Sequence, residues 1–305
     1  MYARIRRQGN TMPIRFCAYQ YQNRPLPELE ERWRRAEELG FDVLWNVDTV
    51  VDPDRPRGTM FDGPATLAAI ALRTDRIRIG TLVTSLYFRS PVTASKSAVT
   101  LDHLSNGRLE IALGVGDPSA GEGAAGVRWS AGERVRRFDE FVDLLDRLLT
   151  HEVTTFEGEF YRCTDAETLP LPIQRPRPPI TVAAHGAKML AIAAARADGW
   201  SSWGGYGIET EEEMFAITRD RSVRLEELCV AAGRDATSIR RSLCVFPPLT
   251  PWESVDYFRD LVGRYGEIGI DEFVLYWPRS WRDAPHEDRV FEQVCADVLP
   301  ALRGT

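Results

Sequence analysis

Few side chains in this sequence have the types and the spacing that acid–base or nucleophilic catalysis requires. The chain contains four histidines, and no two of them have the spacing of metal ligands. The zinc-protease pattern H-E-x-x-H and the nucleophile elbow G-x-S-x-G are both missing from the sequence. The sequence therefore argues against metallohydrolases and serine hydrolases, and it predicts no metal site.

The polar side chains best placed for chemistry follow apolar, strand-like runs of the sequence. Asp48 and His185 each come at the end of such a run, and we predict them as the catalytic candidates. Thr49, Thr84 and Asp117 occupy similar positions. A site with so few acids and bases suits a reaction whose chemistry is performed by a bound cofactor.

Two glycine-containing segments offer backbone groups to a ligand. Gly114 and Gly116 end a strand-like run, where a missing side chain lets the backbone approach a ligand closely or make a tight turn. The segment Ala184-His185-Gly186-Ala187 ends another run and opens a helix at Lys188. Free N–H groups and the positive end of a helix dipole suit a phosphate at that position.

Aromatic side chains are frequent near the same predicted strand ends. Most such residues pack in a core or at its rim, yet several at one mouth would suit a flat, conjugated ligand. The residues concerned are Tyr19, Tyr21, Trp45, Tyr87, Phe88, Trp203, Tyr206, Tyr276, Trp277 and Trp281.

The elements that position these residues follow a regular alternation of apolar runs with stretches of helical period. The predicted strands are Arg15–Ala18, Val43–Val47, Ile77–Val83, Leu109–Val115, Ile180–Ala183, Gly199–Trp203, Arg240–Phe246 and Glu272–Tyr276. The predicted helices are Leu26–Leu39, Phe61–Arg73, Pro91–Leu104, Gly132–Leu149, Lys188–Ala197, Glu211–Ala232, Trp252–Ile268 and Val290–Leu302. Eight such units favour an α/β fold of the closed (β/α)8 TIM-barrel type, with an open doubly wound sheet as the alternative.

One interruption of the alternation follows the fourth predicted helix. Val153–Phe156 and Phe160–Arg162 predict a hairpin, and five prolines follow between residues 170 and 179. We interpret this stretch as a hairpin and Pro-rich insertion in one barrel rather than as a domain linker, because the alternation resumes at once. The domain prediction is a disordered tail over residues 1–12 and a single barrel domain over residues 13–305.

Composition excludes several classes of partner. With 305 residues and a net charge of −7, the chain lacks the basic surplus of a nucleic-acid-binding protein. No run approaches the roughly 18 apolar residues of a membrane span, so we expect no membrane insertion. The five cysteines show neither a C-x-x-C pair nor regular spacing, which favours a reducing, cytoplasmic location.

Several longer segments carry a more specific pattern. They are Arg76–Thr84, Arg89–Pro91, Thr100–Arg108 running on to Gly114–Gly116, Phe156–Tyr161, Gln174–Ile180 and Ala195–Trp200. Through these segments, the chain resembles the bacterial luciferase-like superfamily of flavin- and deazaflavin-dependent oxidoreductases. The resemblance covers about residues 14–300. The resemblance implies a (β/α)8 barrel, in agreement with the alternation of elements.

The resemblance also implies roles for individual residues. In the family, the third strand ends in a bulge with a non-proline cis peptide bond behind the flavin-like ring, and the matching bond is Leu82–Val83. The phosphate site of the family matches Ala184–Ala187, and Asp48 matches an acid near the ring. The predicted cofactor-binding residues are Asp48, Leu82, Val83, Thr84, Gly114, Gly116, Asp117, Ala184, His185, Gly186 and Ala187.

Thr49 departs from the family pattern. Many deazaflavin-dependent members carry His directly after the strand-end Asp, and luciferase-type enzymes also place His near this strand end. The usual proton donor is therefore missing from this sequence. His185, Asp48 or solvent would have to replace it.

Two cofactors remain open on this resemblance. Gly80–Ser85 and Gly114–Asp117 look more similar to coenzyme F420 reductases than to FMN monooxygenases, so we predict F420, with FMN as the alternative. The F420 hypothesis is hydride transfer to or from a small organic substrate. The FMN hypothesis is a monooxygenase that takes reduced flavin from a partner reductase and uses O2, and a non-catalytic flavin-binding barrel is the third.

Two further expectations concern assembly and access. Relatives of this kind are commonly homodimers, so we expect a homodimer. The segment Pro118–Trp129 is rich in Gly and Ala, and we expect it to be a loop that acts as a mobile lid in either enzyme.

Overall fold

A computed structural model describes residues 12–53, 55, 57–278 and 285–303. The strands are β1 (Arg15–Tyr19), β2 (Val43–Asn46), β3 (Arg78–Ser85), β4 (Leu109–Gly114), β5 (Val153–Glu157), β6 (Arg162–Glu167), β7 (Ile180–Ala183), β8 (Gly199–Ser202), β9 (Arg240–Val245) and β10 (Glu272–Tyr276). The helices are α1 (Leu26–Glu38), α2 (Gly63–Arg73), α3 (Pro91–Leu104), α4 (Pro118–Ala125), α5 (Ala131–Thr150), α6 (Ala187–Arg196), α7 (Glu211–Ala231), α8 (Val255–Glu267), α9 (Pro285–Gln293) and α10 (Leu299–Arg303). A 3-10 turn, Ala236–Ser238, precedes β9, and a π turn, Val294–Val298, joins α9 to α10. The predicted tail lies outside the described residues except for Met12, and Trp281 also lies outside them.

Eight of the strands form a closed barrel in the order β1-β10-β9-β8-β7-β4-β3-β2. This order confirms the (β/α)8 prediction and excludes the open doubly wound sheet. The two remaining strands, β5 and β6, form a separate antiparallel pair, which confirms the hairpin insertion. Its second strand lies at Arg162–Glu167 rather than at the predicted Phe160–Arg162. Within the described residues, no helix is long and apolar enough to cross a membrane.

The chain divides into two compact units. The central unit comprises Gln20–Arg35 and Leu44–Ala183, and the terminal unit comprises Met1–Tyr19, Ala36–Val43 and Ala184–Thr305. Each unit contains both strands and helices. They are therefore described one at a time.

In the central unit, β3, β4 and β7 form a parallel ladder. The register between β3 and β4 shifts between Thr81 and Thr84, so a bulge interrupts the end of β3. The polar side chains of Asp62 and Ser90 cap the first turns of α2 and α3, which both begin with a proline in the first turn. These caps fix where the two helices start beside the strand ends.

The segment Thr100–Arg108 has a structural role in the central unit. Asp102 is fully buried, and its carboxylate accepts hydrogen bonds from the backbone N–H of Gln174 at 3.0 Å and from its side-chain amide at 2.7 Å. Arg108 donates to two carbonyl oxygens at the end of α2, at 2.8 Å each. The segment thereby ties the Pro-rich insertion to α3 and closes the end of α2.

Another predicted element of the central unit is also wrong. Pro118–Trp129 was expected to be a loop, but Pro118–Ala125 forms α4, which Asp117 caps and Gly126 ends in the left-handed conformation. A Cβ at Gly121 would lie 2.4 Å from the Tyr87 ring, so the helix packs directly on that ring. Gly132–Leu149 therefore corresponds to the fifth helix, α5, rather than to the fourth.

In the terminal unit, β8, β9, β10 and β1 form a second parallel ladder. Phe16 and Phe273 of neighbouring strands stack with ring centroids 5.9 Å apart, and Phe258 of α8 lies 6.0 Å from Phe16. All three rings are completely buried. Their burial attaches α8 to the ladder through a contiguous apolar core.

Candidate functional site

Asp48 in the central unit is an ion-paired carboxylate. It follows β2 by two residues and is 5% exposed. Arg89 donates a hydrogen bond to each of its oxygens, with Nη2 2.8 Å from Oδ1 and Nε 3.1 Å from Oδ2. The hydrogen bond to Asp48 also raises the pKa of Arg89. A bidentate pair of this kind fixes the orientation of the carboxylate.

Arg89 also pairs with Asp62, the cap of α2, so three charges form one cluster. We call these residues, Asp48, Arg89 and Asp62, the acidic cluster. Its net charge is −1, and its geometry is fixed by the starts of α2 and α3. The carboxylate of Asp48 can accept a hydrogen bond from a ligand or attract a positively polarised group.

Thr49, which stands where relatives of the expected type carry His, takes no part in the acidic cluster. Its hydroxyl lies 3.4 Å from the backbone of Val51. The position is half-buried and offers a hydroxyl in place of an imidazole. The structure therefore supplies no replacement acid at this position.

The predicted cis peptide bond is present between Leu82 and Val83. It lies inside the register shift between β3 and β4, as the resemblance implied. Gly114 and Gly116 have a packing reason of their own: a Cβ at Gly114 would lie 2.7 Å from Val83, and one at Gly116 would collide with Ser85. The two glycines therefore allow β4 and its following turn to approach the bulge of β3.

Two predicted cofactor residues have other contacts in the structure. Thr84 lines a mostly apolar cavity together with Leu67 of α2 and Leu101 of α3. Asp117 accepts hydrogen bonds from the backbone N–H and the hydroxyl of Ser119 at 2.8 Å each, and so caps α4. A direct role for either residue in binding a cofactor stays a prediction.

His185 in the terminal unit lies two residues beyond β7. Its ring centroid is 5.6 Å from that of Trp203, which in turn meets Tyr206 edge-on at 5.0 Å. Burial, and secondarily the charge of Arg221, lowers the pKa of His185 to about 4. The imidazole is therefore neutral at pH 7, and its buried Nε2 has no hydrogen-bond partner in the described part of the chain.

The amino end of α6 next to His185 is open. Gly186 is the cap residue, it makes no side-chain cap hydrogen bond, and a Cβ placed on it would meet nothing within 4 Å. Ala184 is fixed by β8, because its N–H donates to Ser201 at 3.2 Å and its carbonyl accepts from the Trp200 indole at 2.8 Å. Backbone N–H groups at such an end suit an anion.

Sequence reasoning missed two arginines of these sites. Arg89 was noted only as part of a motif, although it precedes the cap of α3 and forms the centre of the acidic cluster. Arg221 belongs to α7, where Thr218 and Leu225 lie on the buried side. Its spacing of three and four residues from them places a cation on that side, which was the available signal.

The aromatic residues do not form one open surface. Trp45 is 1% exposed and Tyr276 is 5% exposed, so both belong to the core of their units. Trp277 packs on Phe291, with ring centroids 4.9 Å apart. Among the predicted aromatic residues, Tyr206 stands out, because it is 77% exposed beside Trp203 and His185.

Comparisons with known proteins give consistent matches. The family model described as luciferase-like monooxygenase matches residues 8–274. An F420-dependent glucose-6-phosphate dehydrogenase of Intrasporangium calvum is 28% identical over 330 aligned residues, which cover 91% of this chain and 95% of the relative. One of the same description from Amycolatopsis mediterranei is 32% identical over 317 residues, with the same shares of coverage.

A solved structure is similar in fold. An F420-dependent secondary alcohol dehydrogenase, in complex with an F420-acetone adduct, superposes with a TM-score of 0.78. The alignment covers 93% of this chain and 98% of that one, at 17% sequence identity. At this identity the likeness concerns the fold alone.

Proposed function

The chain belongs to the luciferase-like monooxygenase family, and we propose that it is an F420-dependent oxidoreductase that transfers hydride to or from a small organic substrate. The relatives that align over nine-tenths of the chain carry F420-dependent dehydrogenase names. The observation in the structure that carries the proposal is that the two predicted catalytic residues offer an ion pair and a neutral imidazole. Asp48 is ion-paired with Arg89, and His185 is neutral at pH 7.

Such a site suits chemistry that a cofactor supplies. A deazaflavin donates or accepts hydride at a ring carbon and, unlike a flavin, does not activate O2. The protein then has to bind, orient and shield the reacting groups rather than provide strong acids and bases. The ion-paired Asp48 and the neutral imidazole of His185 are consistent with a protein that binds and orients while the cofactor supplies the chemistry.

The residues of the terminal unit fit an anionic cofactor. The open cap at Gly186 leaves room for a phosphate at the amino end of α6, and the N–H groups of Gly186 and Ala187 would hold it. The unpartnered Nε2 of His185 offers one more hydrogen-bonding atom beside them. We assign the phosphate site to Ala184–Ala187 on these grounds.

The residues of the central unit, taken by themselves, would suit a flat conjugated ring. Leu82 and Val83, joined by the cis peptide bond, would support one face of the ring, and Gly114 and Gly116 allow the backbone of β4 to stand behind them. Asp48 would face a polar edge of the ring or of the substrate as a charged acceptor. A substrate proton would be exchanged with solvent.

Two finer statements belong to the same proposal. We place the protein in the cytoplasm, in keeping with five cysteines that form no disulfide among the described residues. We also propose a homodimer, which sedimentation of the purified protein would test. A mass of one chain, 34.5 kDa, would contradict it.

The alternative function is an FMN-dependent monooxygenase supplied by a partner reductase, which the description of the matching family favours. The two functions predict opposite behaviour towards oxygen. Under strictly anaerobic conditions, the F420 enzyme should bleach oxidised F420 with a secondary alcohol or a sugar phosphate, or reoxidise reduced F420 with a ketone. An absence of turnover with F420, together with O2 consumption and product formation from reduced FMN, would instead establish the monooxygenase.

A further inference from the structure

Arg221 is a charged side chain of the terminal unit that the proposed function has not yet used. It lies in the middle of α7, and its side chain is half-buried. Among the described residues its hydrogen-bond partners are neutral: Nη1 donates to the hydroxyl of Ser202 at 3.2 Å and to the carbonyl of Gly204 at 2.5 Å. Within the residues that the structure describes, no carboxylate forms an ion pair with Arg221.

The pKa of Arg221 shows that its surroundings disfavour the charged form. Burial lowers it, and no neighbouring anion counteracts the effect. Arg89 in the acidic cluster shows the opposite behaviour, since its carboxylate partners raise its pKa. A guanidinium that loses hydration without gaining a counter-ion is unfavourable unless an anion from outside the chain supplies the missing charge.

The guanidinium of Arg221 approaches His185. A Cβ built on Gly205 would lie 3.7 Å from Nη2 of Arg221 and 3.8 Å from Nδ1 of His185, so a side chain at this position would contact both groups. Gly205 has a φ of +126°, a conformation that L side chains rarely adopt. Glycine at position 205 therefore keeps side-chain atoms away from both Arg221 and His185.

The chemistry of arginine narrows the class of anion. A planar guanidinium presents paired N–H groups that match the oxygens of a phosphate, and Nη1 is already occupied by Ser202 and Gly204. Nη2, which lies on the side of His185, is the nitrogen left to donate to an anion. The exposed Lys188 offers a mobile charge, whereas Arg221 is fixed by its two neutral partners.

We propose that Arg221 supplies the counter-charge for the phosphate of the cofactor and makes the protein select a phosphorylated deazaflavin over its unphosphorylated core. The inference rests on the proposed function, because it takes the phosphate site at Ala184–Ala187 as given. Arg221 is a binding residue in this account and has no part in hydride transfer.

The test uses two ligands that differ only in the phosphate: the deazariboflavin core of F420, and the same core with a 5′-phosphate. Both are titrated into wild type, Arg221→Met and Arg221→Lys, with quenching of deazaflavin fluorescence as the readout. Arg221→Met should weaken binding of the phosphorylated ligand about 10- to 100-fold, the range for a hydrogen bond to a charged group. Its affinity for the unphosphorylated core should stay at the wild-type value, and Arg221→Lys should fall in between.

Arg234→Met is the matched control. Arg234 also donates to a hydroxyl and a carbonyl, Ser238 at 3.1 Å and Ala194 at 3.3 Å, but it lies beyond the carboxyl end of α7. Its loss should leave the preference for the phosphorylated ligand unchanged. Thermal unfolding of both variants separates a binding effect from loss of structure around Ser202 and Gly204.

The possible outcomes separate the inference from the proposed function. If Arg221→Met loses affinity for both ligands in parallel, or keeps full affinity for the phosphorylated one, Arg221 is structural and the inference is overturned alone. If wild type binds neither deazaflavin, the proposed function fails and the inference fails with it. Selective loss of the phosphorylated ligand supports both.

Discussion

The two units each place a charged side chain beside a strand end, and they treat it in opposite ways. In the central unit, Asp48 is neutralised by Arg89, which Asp62 also contacts. In the terminal unit, Arg221 is half-buried among neutral partners, and His185 stays uncharged beside it. A charge that is paired within the fold can position other groups. A half-buried charge without a counter-ion, in contrast, favours binding of a ligand that carries the opposite charge.

Breaking the compensated cluster should have the largest effect. Arg89→Met leaves the buried carboxylate of Asp48 without a partner, and we expect the free energy of unfolding to fall by about 3–5 kcal/mol. Urea denaturation measures the change. Combining Arg89→Met with Asp48→Asn should restore much of the lost stability, because the uncompensated charge is then removed.

Arg73→Met is the control for that variant. Arg73 pairs with Glu30 at 3.4 Å, but its side chain is 62% exposed, so its removal should cost at most about 1 kcal/mol. If Arg89→Met costs no more than Arg73→Met, the acidic cluster is not the stabilising element that its burial indicates.

The pH dependence of stability tests the terminal unit. The pKa of His185 is lowered from 6.5 to about 4. Between pH 6.5 and pH 4, this histidine is therefore protonated in the unfolded chain but neutral in the folded one. Stability should therefore fall as the pH drops from about 6.5 to 4, by up to about 3 kcal/mol from this group, and be fully present above pH 7.

Urea denaturation at pH 5 and pH 7.5 measures this contribution. His185→Gln should remove it, whereas His151→Gln should not, because His151 is exposed. In Arg221→Met the pKa of His185 should rise, and the slope with pH should become shallower. An equal pH dependence of wild type and His185→Gln would contradict the assigned state of the imidazole.

The smallest of the three effects concerns the open helix end. Gly186→Asp puts a carboxylate where the phosphate is proposed to lie, and affinity for F420 should fall by about 2 kcal/mol, or roughly 30-fold. Folding should not suffer, because a Cβ at Gly186 meets nothing within 4 Å and aspartate is a favourable helix cap.

Gly132→Asp places the same charge in the first turn of α5, where a Cβ also meets nothing. This control should bind F420 as tightly as wild type does. Unchanged affinity in Gly186→Asp would show that the phosphate lies elsewhere.

Much of the fold could be predicted from the sequence because the signals were local. Every barrel strand begins and ends within two residues of its predicted bounds, since apolar runs and helical period both report burial directly. The helix α4 was missed because a segment rich in Gly and Ala has weak periodicity. Its helix is stabilised by the cap at Asp117 and by packing on Tyr87, which only the folded chain brings together.

The site was harder to predict than the fold. Asp48 and His185 could be found because they follow strands, but their states depend on partners far away in sequence. Arg89 lies 41 residues from Asp48, and Arg221 lies on α7, well beyond the segment that contains His185. The segment Thr100–Arg108, which identified the family best, turned out to hold helices and the insertion together.

The most direct test of the account is binding of oxidised F420 and oxidised FMN to the purified protein, side by side, by quenching of their fluorescence. The account predicts tight binding of F420 and weak binding of FMN, with F420 affinity reduced in Gly186→Asp and in Arg221→Met. Tight binding of FMN with none of F420 would contradict it.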